Sequence, residues 1–175
     1  MVKIVTVLAA SALLAGMAVS AQAQDAGSTY LQVGGGQVDA DGEKFGVIQA
    51  AGGYNFNRNF AVEAEFGLGL TEKTYRVGTV NVDAKIKHTA GIYLVGSAPI
   101  GENLDLVGRV GFSQVSVEAS SGNVSADDSD TGPAYSVGLR YFPKGGVHGI
   151  RGDFTRYQLD DGSMDAVQVS YVRRF

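Results

Sequence analysis

The sequence predicts an all-β protein: an eight-stranded antiparallel transmembrane barrel, an up-and-down meander, following a cleaved export signal. Three observations carry this. Segments beyond residue 23 alternate apolar and polar residues with period two, the spacing of a strand whose side chains point to opposite faces. No run in that part approaches the roughly 18 consecutive apolar residues of a spanning helix. Charges fall mid-strand opposite an apolar face, which lets one face meet lipid and the other enclose the charges.

The elements follow in chain order. Lys3 is a lone positive charge, residues 4–19 are almost wholly apolar or small, and Ala21-Gln22-Ala23 has the A-x-A form of a signal-peptidase site. Residues 1–23 are therefore expected to be a signal peptide cut after Ala23, and residues 24–175 a single barrel domain. A content of 45% hydrophobic residues is too apolar for disorder, while 25 Gly are more than helices tolerate. The chain has no Cys, so an exported protein of this size must be held by its backbone ladder and packing. Without Lys3 the chain carries 13 basic against 18 acidic groups, a net charge of -5 that disfavours nucleic acid as a partner.

Strands are expected at 29–36, 45–56, 60–70, 83–98, 104–117, 132–142, 147–158 and 164–175. In 60–70 the even positions Phe60, Val62, Ala64, Phe66, Leu68 and Leu70 are apolar, with Ala61, Glu63, Glu65, Gly67 and Gly69 between them. In 104–112 Leu104, Leu106, Val110 and Phe112 oppose Asp105, Val107, Arg109 and Gly111, and in 134–141 Tyr135, Val137, Leu139 and Tyr141 oppose Ala134, Ser136, Gly138 and Arg140. Tight turns at 57–59, 99–103 and 143–146 alternate with polar, acidic loops expected at 38–44, 71–82 and 118–131 and a shorter one at 159–163. Short turns at one rim and longer loops at the other is the outer-membrane arrangement, with both termini on the periplasmic side. About 11 residues at roughly 3.3 Å, tilted by about 40°, span near 27 Å, close to the apolar band of such barrels. Tyr54, Phe56, Phe60, Tyr141, Phe142 and Phe175 are expected to form an aromatic girdle beside the tight turns.

Glu63, Glu65, Arg109, Arg140, Arg151 and Asp153 are the charges on the minority face, and they are expected to pair as a polar plug inside the barrel. Turning the three arginines to lipid would cost roughly 6 to 12 kcal/mol together, comparable with a whole folding stability. Gly67, Gly111 and Gly138 are expected to make room for the plug. On the last strand Val167, Val169, Tyr171 and Phe175 share a face, and an alternating strand with Tyr171 and a final Phe175 resembles the insertion signal read by the barrel-assembly machinery.

With these strands, the turn pattern and the local segments Asn59-Phe60-Ala61-Val62-Glu63 and Gly149-Ile150-Arg151-Gly152-Asp153-Phe154, residues 29–175 resemble the small porin-like outer-membrane barrels that group with the OmpA barrel and OmpX-like proteins. The resemblance implies residence in the outer membrane of a Gram-negative bacterium, contact with its lipid and lipopolysaccharide, a monomer, and a structural or surface-interaction role. A narrow channel or small-ligand-binding barrel is the alternative, with a soluble lipocalin-like barrel as a distant third. The peptidoglycan-binding domain of full-length OmpA proteins is not expected in this chain.

Neither an enzyme nor a cofactor is expected. His88 is followed by Thr89-Ala90 and His148 by Gly149-Ile150, so neither has the Ser two residues along that small barrel deacylases use. Arg151-Gly152-Asp153 spells an adhesion tripeptide but falls inside a strand. Asp39, Asp41 and Glu43, then Asp127, Asp128 and Asp130, then Asp160 and Asp161 make the loops acidic, a setting for weak divalent-cation binding without the spacing of an EF-hand.

Overall fold

The computed structural model describes residues 27–40, 42–77, 80–121, 124–143, 146–160 and 162–175; the expected signal peptide, with Ala21 and Ala23, lies outside them. The strands are β1 (Thr29–Ala40), β2 (Glu43–Asn55), β3 (Phe60–Gly69), β4 (Glu72–Val77), β5 (Val80–Pro99), β6 (Leu104–Ser121), β7 (Val124–Tyr141), β8 (His148–Leu159) and β9 (Gly162–Arg174). Neighbours in the order β3-β2-β1-β9-β8-β7-β6-β5 pair antiparallel, and a β3–β5 ladder closes the ring. β3 runs along the second half of β5 (Phe60↔Gly96 to Leu68↔His88) and β4 along its first half (Glu72↔Lys85 to Val77↔Val80). They are two pieces of one stave broken at Leu70 and Thr71, so the barrel has eight staves wound as a meander.

The wall is inside-out relative to a soluble barrel. Leu31, Val33, Ile48, Phe66, Leu94, Phe112, Leu139, Phe154 and Val169 are exposed on the outer face, whereas Glu63, Arg109, Arg140 and Arg151 are buried in the lumen. Burial alternates along the staves, as in β3 and β8, because successive side chains point to opposite faces. This polarity is the lipid-facing arrangement and not the soluble one.

Two apolar layers fill the lumen above and below the charges. Tyr30, Ala61, Val95, Val107, Phe142 and Val172 form one near the rim that holds the turns at 57–59 and 100–103. Val38, Phe45, Val47, Ile86, Tyr93, Val115, Ala134, Tyr157 and Ala166 form the other toward the opposite rim.

Three expectations are corrected. The segments taken as loops are largely strand: β1 and β2 pair to Ala40↔Glu43, β4 and β5 to Val77↔Val80, β6 and β7 to Ser121↔Val124, and β8 and β9 to Leu159↔Gly162. The longer rim therefore consists of hairpins with two residues between strands. Phe142 is buried, so it leaves the girdle: Tyr141 is outward, and the next residue must point inward. Tyr54, Phe56, Phe60, Tyr141 and Phe175 do lie exposed at that rim. Gly111 makes no room for the plug; a Cβ there would lie 2.0 Å from the Ile92 carbonyl oxygen, so Gly111 permits close approach of β5 and β6.

Candidate functional site

The lumen holds a connected set of ions and hydrogen bonds built from four separate staves. β3 supplies Glu63 and Glu65, β6 supplies Arg109, β8 supplies Arg151, Asp153 and Thr155, and β1 supplies Tyr30 and Gln32. All are placed inward by parity. Arg109 Nη1 donates to Glu63 Oε1 at 2.6 Å and to Glu65 Oε2 at 2.7 Å, while its Nη2 donates to Thr155 Oγ1 at 3.1 Å. Its guanidinium also sits 4.6 Å from the centre of the Tyr93 ring. Arg151 Nη1 donates to Glu63 Oε2 at 2.9 Å and its Nε to Asp153 Oδ1 at 2.9 Å. Tyr30 donates its phenolic proton to Glu63 Oε2 at 2.6 Å. Glu63 is thus held by two guanidiniums and a phenol with its side chain fully buried.

Tyr30 was missed in the sequence because it reads as an ordinary strand aromatic. The signal that finds it is Gly53, its partner in the β1–β2 register (Tyr30↔Gly53). A Cβ on Gly53 would lie 2.1 Å from the Tyr30 ring, so only glycine lets that ring lie flat across β2 and carry its hydroxyl toward Glu63 on the next stave.

Arg140, directly across from Arg151 in the β7–β8 register, pairs with a different carboxylate. Its Nη2 and Nε donate to Asp105 Oδ2 at 3.0 and 3.3 Å, and Arg174 Nη2 lies 3.6 Å from the same oxygen. The reason is register: Asp105 is the cross-strand partner of Arg140. Glu63, Glu65, Arg109, Arg151 and Asp153 are thus joined by direct ion pairs, while Arg140, the cross-strand neighbour of Arg151, pairs with Asp105. Arg140 and Arg174 also lie over the inward Phe142 ring, at 5.8 and 3.3 Å, at the mouth of the lumen.

The remaining candidates are dispersed. Tyr171 and Phe175 are exposed on the outer face; the Tyr171 hydroxyl and His148 Nδ1 are hydrogen-bonded, and Arg173 covers the Phe175 ring at 4.9 Å. His88 Nε2 is 3.1 Å from Ser116 Oγ, a serine that sequence inspection along one strand overlooks because it lies directly across on β6. Ser116 Oγ is in turn 2.7 Å from Ser129 Oγ; Ser116 is 4% exposed and Ser129 is exposed, so this row is a part-buried polar contact. Arg151 and Asp153 of the tripeptide face the lumen. Among the described residues no group of three or more acidic or histidine side chains is placed to hold a metal ion. Asp41 and Asp161 lie outside those residues, while Asp39 accepts the Gly42 N–H and Asp130 the Asp160 N–H.

A family model described as outer membrane protein beta-barrel domain matches residues 9–175. Among solved structures, Ail, the attachment invasion locus protein of Yersinia pestis, matches with a TM-score of 0.64 at 22% identity, over 86% of this chain and 99% of that one. The N-terminal β-barrel domain of Pseudomonas aeruginosa OprF matches with a TM-score of 0.62 at 13% identity, over 87% and 100%. OprG from Pseudomonas aeruginosa matches with a TM-score of 0.61 at 12% identity, over 89% and 99%. At these identities the likeness is one of fold. No curated protein matches the chain.

Proposed function

This chain belongs to the outer membrane protein β-barrel domain family and resides in the outer membrane of a Gram-negative bacterium, and from that premise we propose that it is a monomeric surface-interaction barrel that displays a projecting β-sheet outside the cell. The rim with the tight turns faces the periplasm in this reading, and the rim of the hairpins faces outward. Residues 1–23 direct export and are removed after Ala23, and Tyr171 and Phe175 guide insertion by the barrel-assembly machinery.

The observation that carries the reading is the length of the staves. β5, β6 and β7 have 20, 18 and 18 residues and the β3–β4 stave runs from Phe60 to Val77, against 12 or 13 residues for β1, β2, β8 and β9. At roughly 3.3 Å per residue and a tilt of about 40°, the longer staves rise about 45 Å, some 20 Å beyond the apolar band. β7 pairs with β8 only up to Ala134↔Tyr157, although it pairs with β6 along its whole length. Residues 124–129 therefore present one unpaired backbone edge; nearer the barrel β7 still abuts β8, where a Cβ on Gly132 would lie 1.8 Å from the Gln158 carbonyl oxygen, and Pro133, which has no N–H to give, stands where the β8 ladder stops. Such an edge accepts an extended segment as an added strand. Asp128 and Asp130 on that strand favour a basic segment as the occupant. Ail has been solved in complex with the heparin analogue sucrose octasulfate. An acidic edge does not suit such a polyanion, so that ligand is not carried over to β7.

The filled lumen supports display over transport, since an eight-stranded interior is just wide enough for side chains and this one is packed with apolar layers around buried ion pairs. An epitope inserted between Ser121 and Val124 should be stained on intact cells, and one inserted between Pro143 and Gly146 only after permeabilisation; the reverse pattern overturns the orientation. Purified protein in planar bilayers should show no steady conductance at moderate salt, and regular channel steps would favour the narrow-channel reading.

A further inference from the structure

Beside the end of the β7–β8 ladder, inward side chains of β1, β6, β7, β8 and β9 enclose a chamber at the outer end of the lumen. It is lined by Ala40, Val115, Val117, Leu159 and Met164 below, with Asp128 and Asp130 at the mouth, and its volume is about 230 Å³. The floor is the top of the apolar layer: Val115 belongs to it, and Ala40, Val117, Leu159 and Met164 pack against it. The mouth is acidic on one side only. Asp130 Oδ2 accepts the Asp160 N–H at 2.8 Å, bridging β7 to the β8–β9 turn beyond the point where the backbone ladder ends, and Asp128 Oδ1 accepts the Ser129 N–H at 2.9 Å. Each carboxylate retains a second oxygen for a ligand. Leu159 is five residues beyond the outward Phe154, which lifts the chamber about 13 Å above that level.

We propose that this chamber binds a small organic cation with an apolar body, an aralkyl- or alkylamine. An apolar cavity of roughly 150 Å³ takes up benzene, so this one has room for about nine heavy atoms. The apolar body lies on Val115, Val117, Leu159 and Met164, and the ammonium group meets Asp128 and Asp130 at the mouth. The carboxylates select the sign of the ligand's charge, and the cavity selects its size. Because the inference is read on purified protein without any partner strand, it does not depend on which rim faces outward.

The test uses protein purified from the outer membrane, carrying ¹³C-methyl methionine, in detergent micelles. The sequence has three methionines, Met1, Met17 and Met164, and a Met164→Leu variant assigns the chamber signal. Phenethylamine hydrochloride should shift the Met164 methyl resonance saturably. The neutral isostere 2-phenylethanol should bind at least five-fold more weakly, and 3-phenylpropionate should give no saturable shift. The double variant Asp128→Asn/Asp130→Asn keeps oxygen acceptors for the Asp160 and Ser129 N–H groups and should lose the preference for the amine. Val117→Phe fills the chamber and should weaken binding at least ten-fold while the unboiled gel band stays folded. A Met164 signal that never saturates, equal affinity for amine and alcohol, or an unchanged preference in the double Asn variant would each overturn the proposal.

Discussion

Replacing Arg109 with Met tests the lumen most directly. Arg109 is the residue hydrogen-bonded to both Glu63 and Glu65, and its side chain is fully buried. Met preserves most of the volume and removes the charge. Glu63 keeps Arg151 and Tyr30, whereas Glu65 loses the guanidinium that holds it at 2.7 Å. The five-member group of Glu63, Glu65, Asp153, Arg109 and Arg151 carries one excess negative charge, and the substitution raises that to two. Removing one partner of a buried pair typically costs about 3 to 5 kcal/mol, because the other charge is left uncompensated. Most of a barrel's stability is then at stake. The chain has no Trp, so the readout is the fraction of protein in the fast-migrating unboiled gel band as urea is raised in lipid vesicles. The double variant Arg109→Met/Glu65→Leu returns the group to one excess charge and should recover at least about 1 kcal/mol relative to the single, the coupling expected of residues in contact. A single variant that loses less than about 1 kcal/mol, or a double variant no more stable than the single, refutes the reasoning.

Leu94→Arg, an outward residue 59% exposed near the middle of the wall, should destabilise the barrel by about 2 to 4 kcal/mol in lipid vesicles, measured by the same urea series; no loss would mean that this face does not meet lipid. Tyr30→Phe removes the hydrogen bond to the Glu63 carboxylate and should cost about 1.5 to 3 kcal/mol. Gly53→Val should cost at least as much, because its side chain displaces the same ring. A Gly53→Val protein with unchanged stability would show that the ring has another place to go. Arg140→Leu should lower the unfolding temperature by less than Arg109→Met does, because Asp105 keeps Arg174 at 3.6 Å.

The barrel itself was legible because lipid enforces the pattern. Within the membrane band one face must be apolar and the other enclosed, so parity alone placed Glu63, Glu65, Arg109, Arg140, Arg151 and Asp153 on the inner wall. Beyond the band both faces of a strand are wet, and the hydrophobic alternation disappears although the backbone ladder continues. That is why residues 118–131, rich in Ser and Asp, read as a loop while β6 and β7 pair through them. The hidden hairpin then concealed the register. Two residues between Ser121 and Val124 fix Asp105 opposite Arg140, so the carboxylate that pairs with Arg140 follows from the turn and not from the strands where the two residues lie. The chamber beside β7 was illegible for the same reason: it lies beside the end of the β7–β8 ladder, while the β6–β7 ladder continues.

The arginines are also informative about what the lumen is for. A lysine at position 109 could reach one carboxylate as a point charge, but Arg109 uses two nitrogens to hold Glu63, Glu65 and Thr155 together, tying β6 to β3 and β8. Arg151 ties β8 to β3 through Glu63, and Tyr30 brings in β1. Glu63 is therefore a common acceptor for three staves across the barrel. Cross-ties of this kind resist the ring's tendency to ovalise, and they occupy the section a solute would have to cross. Outward from them, the layer containing Val115, Tyr93 and Tyr157 gives water few polar partners, and it ends at the floor of the β7 chamber. In the proposed reading, a barrel that is cross-tied below and apolar above holds its projecting sheet at a fixed angle to the membrane, which is what a displayed edge requires if a partner is to add to it in register.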